Sequence, residues 1–200
     1  MSGTLIVFEG IDGSGKSTQL LHLKDHLEAT GKKVFVTREP SDGPIGSMVR
    51  KALLTDTSFD EATLTLLFAA DRLDHIKTIE AHLAQGEIVL CDRYLLSSLA
   101  YNSQHLTLEW VLNLNKEADA RLHPTVTLLY DLPEQEAMAR IEQRGEIAER
   151  YETLHQLYQI RQLYLMLAQV RTDDNVIVIN ANQNEDAVYA ETWEVLQDYL

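Results

Sequence analysis

Cysteine is all but missing: Cys91 stands alone, so no disulfide can form within the chain. A reducing, cytoplasmic setting is the expectation that follows, and Cys91, at the end of an apolar run, reads as a core thiol. Positive charge is scarce as well. Only 17 lysines and arginines stand against 31 acids, a net charge of -14. That balance argues against a nucleic-acid polymer as partner, because such sites need a broad basic surface. It leaves room for a local basic pocket. There is no long uninterrupted apolar segment and no charged-then-apolar leader, so neither a membrane span nor a signal peptide is expected. Internal repeats, low-complexity tracts and linkers are missing too. The 200 residues, 45% hydrophobic and 24% charged, are enough for one α/β domain with a sizeable core.

Against this plain background one stretch stands out: Gly10-Ile11-Asp12-Gly13-Ser14-Gly15-Lys16-Ser17-Thr18. It fits the phosphate-loop pattern G-x-x-x-x-G-K-[ST]. Leu5-Ile6-Val7-Phe8 reads as a buried strand leading in, and Gln19-Leu20-Leu21, Leu23 and Leu27 as the apolar stripe of a helix leading out. The glycines let the backbone wrap a phosphate, with successive N–H groups and the helix N-terminus aimed at the anion. Lys16 would reach the terminal phosphates and the Ser17 hydroxyl would hold Mg²⁺. A nucleoside triphosphate site is the expectation.

Strand and helix patterns alternate along the whole chain, predicting a three-layer α/β/α fold with a five-stranded parallel sheet. The strands are expected at residues 5–8, 33–37, 87–91, 124–132 and 175–180. The second stops at Arg38-Glu39-Pro40, followed by Ser41-Asp42-Gly43-Pro44, a loop at a strand's carboxyl end, where open α/β sheets bind ligands. A short helix from Pro44 to Leu54 precedes one capped by Asp60 and closed by Gly86. Phe68 and Arg72 share a face of that second helix; from spacing alone Phe68 is core and Arg72 a solvated charge. The third strand ends at Asp92-Arg93-Tyr94, and an Asp there is how phosphate-loop proteins bring a carboxylate to Mg²⁺; a turn Asp beside a surface Arg is the other reading. Ser97, Ser98, Tyr101 and Asn102 follow on a helix and could contact a ligand. Around Asn115-Lys116 the Asp of a GTPase base-reading motif is replaced by Ala118, so this stretch reads as helix surface. Helices are further expected from Thr107 to Ala120, from Pro133 to about Arg144, from Tyr151 to Val170 and from Glu185 to Tyr199. Arg140, Arg144 and Arg150 around Gly145 suit a cationic cover over phosphates, or else a charged connection between helices.

Together these motifs resemble the thymidylate kinase family over nearly the whole chain. The resemblance rests on the stretch from Phe8 to Gln19, on Thr37-Arg38-Glu39-Pro40, on Leu67-Phe68-Ala69-Ala70-Asp71-Arg72, on Asp92-Arg93-Tyr94 with Ser97, Ala100 and Tyr101, and on Arg144-Gly145-Glu146. It implies a P-loop nucleoside triphosphate hydrolase fold, a single kinase domain over 1–200 with a mobile lid at about 142–152, and transfer of a phosphoryl group from ATP to dTMP with Mg²⁺. It also implies a homodimer. Phe68 would stack on thymine and Arg72 would bond its O4. Arg93, with Arg38, would grip the acceptor phosphate, and Pro40 would border that acceptor. Asp12 would sit near the 3′-hydroxyl, Tyr101 against the 2′ position, and Ser97, Ser98 or Asn102 near the base. Ser17 and Asp92 would serve the metal, and Lys16, Arg93, Asp92, Arg144 and Arg150 the reaction. The chain departs from the family at Gly13, where one branch carries an arginine, and at Asn102, where many members have Gln. The lid also has one extra residue, and Ser41-Asp42-Gly43-Pro44 stands in place of a double glycine. Alternatives are a phosphate-loop kinase for dUMP or a deoxynucleoside, or a non-catalytic nucleotide switch.

Overall fold

The computed structural model describes residues 3–54, 59–144 and 153–200, with the Arg144 side chain excepted. The expected lid therefore lies mostly outside the described residues, Arg150 included. Five strands are present among them: β1 (Thr4–Glu9), β2 (Val34–Arg38), β3 (Ile88–Asp92), β4 (Val126–Asp131) and β5 (Val176–Asn180). They form one all-parallel sheet in the order β2-β3-β1-β4-β5. The helices are α1 (Lys16–Ala29), α2 (Pro44–Leu54), α3 (Glu61–Ala84), α4 (Leu95–Asn102), α5 (Leu108–Arg121), α6 (Glu134–Arg144), α7 (Leu154–Val170) and α8 (Glu185–Leu196). They cover both faces of the sheet, giving the three-layer arrangement read from the sequence.

The three central strands are the apolar runs, and their side chains are buried on both faces. Edge strands β2 and β5 leave Val36 and Val178 partly in solvent. The connection leaving β1 runs toward β2 and the one leaving β3 toward β4, so a crevice opens between adjacent β1 and β3 at their carboxyl ends. The phosphate loop leaves β1 at that point, and Asp92-Arg93-Tyr94 leaves β3 beside it.

Several helix starts follow local chemistry. Asp60 caps α3 by accepting from the Thr63 amide, Thr107 caps α5, Asn184 caps α8, and Thr153 with Gln156 forms a capping box on α7. Three expectations need correction. Leu21 does not belong to the buried stripe of α1; it is 54% exposed, whereas Leu20, Leu23 and Leu27 recur at helical spacing and are buried. Arg38 and Asp92, expected just past their strands, are the last residues of β2 and β3 and pair side by side. Asn115 is not helix surface: it is buried with Val111 and Ala118 on the inner face of α5. Cys91 is buried, as expected, and burial pushes its thiol pKa up. Among the described residues no helix is long and apolar enough to cross a membrane.

Candidate active site

The phosphate loop closes into α1 through Gly15, whose φ of 86° lies in the left-handed region open to glycine. No side chain caps this helix, so its first amide groups stay available to an anion. At Gly13 a Cβ would sit 2.6 Å from the Ala137 carbonyl oxygen of α6. That contact explains the departure at this position: the loop has no room for an arginine here, and any such cation must come from elsewhere.

Lys16 is buried beneath the loop, and desolvation, then Arg93, lowers its pKa. Its Nζ lies 3.8 Å from Asp12 Oδ1. Arg93 approaches the same oxygen from the β3 side, its Nη2 donating to it at 2.5 Å. The backbone of Arg93 has φ 69°, a strained value for a residue with a side chain. Its Nη1 also donates to Ser97 Oγ at 3.1 Å and to the Tyr164 hydroxyl at 3.5 Å, and the Tyr101 hydroxyl donates to Asp12 Oδ2 at 2.9 Å. Burial would raise the Asp12 carboxyl, but Arg93, Lys16 and Tyr101 outweigh it and hold the pKa down to about 2. One carboxylate thus stands between a cation from the phosphate loop and a cation from the β3 turn.

Ser17 Oγ donates to Asp92 Oδ2 at 2.5 Å. Asp92 Oδ1 is buried and has no partner among the described residues. A hydroxyl and a carboxylate with an unsatisfied oxygen, beside a phosphate loop, are the hard oxygen donors that suit Mg²⁺.

A cavity of about 380 Å³ opens from this point toward α3 and α4. Phe68 lines it while packing against the small α2–α3 apolar cluster, so it is both core and wall. Arg72 is 1% exposed, which corrects the spacing-only reading of a solvated charge. Its Nη2 donates to Glu39 Oε2 at 2.6 Å, to Ser98 Oγ at 2.9 Å and to the Tyr94 carbonyl, and its Nη1 donates to Asn115 Oδ1. Its Nε is buried without a partner among the described residues, as is Asn102 Nδ2. His75 Nδ1 lies 3.2 Å from the other Glu39 oxygen and its Nε2 shares a hydrogen bond with Thr37. The loop after Pro40 is held by Asp71, which accepts from the Ser41 amide and hydroxyl, and by Arg50, which donates to the Pro40 and Ser41 carbonyls. Arg38 is exposed and pairs with Asp42 at 2.9 Å.

A second hollow of about 290 Å³ lies on the far side of the phosphate loop, between Arg140 and residues 181–185. Arg140 donates to the Gly13 and Ala181 carbonyls at 3.4 and 3.3 Å.

The sequence-predicted residues of the loop, the β3 turn, α3 and α4 therefore converge on one crevice. Arg144's side chain and Arg150 lie outside the described residues. Glu9, His75, Asn115, Arg50 and Tyr164 are participants that the sequence reading missed. Glu9 carried a signal, an acid closing an apolar strand just before Gly10, and so did Asn115, spaced four from Val111 and three from Ala118. Tyr164 and His75 carried none, since their partners are distant in sequence.

The sequence model of the thymidylate kinase family matches residues 8–192. A relative named probable thymidylate kinase from Pyrococcus horikoshii is 38% identical over 88% of each chain. Thymidylate kinases from Exiguobacterium sibiricum and Thermosipho africanus are 37% and 35% identical, covering 100% and 98% of this chain and 97% and 98% of their own.

Proposed function

We infer the roles of these residues from one premise: the chain belongs to the thymidylate kinase family and transfers the γ-phosphoryl group of ATP to dTMP, giving dTDP. ATP phosphates lie along the loop from Gly10 to Thr18, with Lys16 at the terminal groups. Ser17 and Asp92 hold Mg²⁺, which when bound neutralises charge on the ATP phosphates; the unsatisfied Asp92 oxygen supports this assignment. The dTMP phosphate meets Arg93, with Arg38 at the rim, and Pro40 borders the acceptor. Thymine stacks on Phe68, with Arg72, Ser98 and Asn102 at its polar edge and Ser97 behind them. Asp12 faces the 3′-hydroxyl and Tyr101 the 2′ position. The hollow between Arg140 and Ala181 suits the adenine of ATP.

A dTMP phosphate oxygen attacks the γ-phosphorus as the bond to the β–γ bridging oxygen breaks and ADP leaves. The attacking oxygen is already anionic, so no general base is needed. Catalysis is positioning and neutralisation of the equatorial oxygens. Arg144 and Arg150, in the 142–152 segment, supply the cation that Gly13 cannot, and act as a lid over a single kinase domain. The observation that carries the whole reading is the meeting of Lys16 and Arg93 at one Asp12 oxygen, donor-side and acceptor-side cations a few ångströms apart.

A homodimer follows from the family resemblance, and α2 and α3 leave Met48, Leu54 and Leu66 exposed. A cytoplasmic location accords with the single cysteine. The test is an acceptor screen with coupled ADP detection. Turnover is expected with dTMP, weaker turnover with dUMP and very little with dCMP or deoxynucleosides. Tight ATP binding without acceptor-dependent turnover would overturn the assigned acceptor site.

A further inference from the structure

Glu9 is an acid where none is expected. It ends the central strand β1, sits one residue before the phosphate loop, and is fully buried. Burial raises its carboxyl pKa against the pull of Ser97, Arg93, Tyr94 and Tyr164, so holding a charge there is costly. What it does with its two oxygens is specific. Oε1 accepts from the Tyr94 amide at 2.8 Å and the Ser97 amide at 3.1 Å. These are the N-cap and third amides of α4, a helix without a side-chain cap of its own, since the N-cap residue is Tyr94, whose hydroxyl lies at the far end of its ring and donates to the Leu122 carbonyl. Oε2 accepts from the Ser97 hydroxyl at 2.6 Å and the Tyr164 hydroxyl at 2.9 Å.

Arg93 Nη1 donates to both of those hydroxyls, as well as to the Gly10 carbonyl at 3.3 Å. A hydroxyl has one proton. Ser97 Oγ and the Tyr164 hydroxyl also lie 2.8 Å apart. Whether both protons go to Glu9 or one hydroxyl donates to the other, the chain of protons ends on Glu9 and lone pairs turn toward Arg93. Glu9 thus caps α4, which carries Ser97, Ser98, Tyr101 and Asn102, and sets the polarity of the hydroxyls that hold the Arg93 guanidinium. Through Tyr164 it also ties in α7, the helix that follows residues 145–152. It does not line the cavity.

We propose that Glu9 is a positioning residue for phosphoryl transfer, fixing the acceptor side of the site to the phosphate loop that holds the donor. The proposal rests on the assignment of Arg93 to the acceptor phosphate. Glu9→Gln is the informative change. The amide oxygen keeps the α4 cap, but its nitrogen faces the two hydroxyls, which must then accept from it and compete with Arg93.

Steady-state kinetics with dTMP, equilibrium ATP binding and urea unfolding are measured on Glu9→Gln, Tyr164→Phe, the double variant and Arg93→Ala. For Glu9→Gln, kcat is expected to fall about 100-fold, the scale of an ångström-sized misplacement, with ATP affinity and unfolding midpoint near wild type. Tyr164→Phe is expected to give a smaller loss of the same kind. The double variant is expected to be no worse than Glu9→Gln, as for groups acting as a unit. A folded Glu9→Gln with kcat within about twofold of wild type overturns the proposal, as do multiplicative losses in the double variant. If Glu9→Gln does not fold, Tyr164→Phe decides: reduced kcat at unchanged ATP affinity supports the proposal and unchanged kcat overturns it. Wild-type kinetics in Arg93→Ala would instead remove the assignment of Arg93.

Discussion

Asp12 carries the depressed pKa of the site, so its contribution to stability has a defined pH window. Its folded value, about 2, lies below the ordinary aspartate value of 3.8. The stabilisation is therefore full above about pH 5 and is lost as pH falls toward 2. Between neutral pH and pH 3 the loss is about 1 kcal/mol for a shift of this size. Asp12→Asn is expected to flatten that part of the urea midpoint-versus-pH curve, and an unchanged curve would show that Asp12 is not held by Arg93 and Lys16. Lys16→Ala is expected to lower kcat by orders of magnitude, since one preorganised contact to developing charge is worth roughly 2.7–4 kcal/mol. At Arg72 two effects separate. Its removal leaves Glu39 buried beside His75 alone, at a cost of about 3–5 kcal/mol. It also removes a donor from the cavity wall, so the dTMP-to-dCMP ratio of kcat/KM should narrow in Arg72→Ala. Phe68→Ala should weaken both acceptors without changing that ratio.

The contact between the phosphate loop and α6 is a claim about elements. Gly13→Ala brings a Cβ against the Ala137 carbonyl at a φ of 79°, so a cost of at least about 1–3 kcal/mol and weakened ATP binding are expected by calorimetry. With the loop closed to side chains, Arg144→Ala or Arg150→Ala should lower kcat with little change in dTMP affinity; full kcat in the double variant would make both structural. At this scale the sequence was highly legible. Strand runs, the phosphate loop and the cap at Asp60 are local signals, and the structure follows them. Leu21 misled because an apolar residue beside the stripe looks like part of it until the helix phase is known. Arg72 misled because a lone charge on an amphipathic helix usually faces water, and its partners Glu39, Ser98 and Asn115 come from three other segments. Glu9 illustrates the same limit: its position was visible, but the four donors around it come from the β3 turn, α4 and α7.

For the whole molecule, the distribution of charge matters more than its sum. Lys16, Arg38, Arg50, Arg72 and Arg93 line the cavity proposed for dTMP against three acids, Asp12, Glu39 and Asp92, a local positive excess in a chain of net charge -14. The cavity is therefore locally positive, while the rest of the chain carries the whole acidic excess. An incoming phosphate dianion is repelled at long range and attracted only once inside. Raising ionic strength from about 0.01 to 0.1 M shortens the screening length from about 30 to 10 Å, which weakens the outer repulsion more than the enclosed attraction. The association rate of dTMP, measured by stopped flow, is thus expected to hold or rise with added salt, opposite to the trend of a basic-surfaced nucleotide binder; a steep fall would contradict this picture. The same gradient sorts thymidylates by size: a free monophosphate can pass the acidic outer surface into the cavity, whereas the same nucleotide at the end of a DNA strand brings along charges that must remain against that surface.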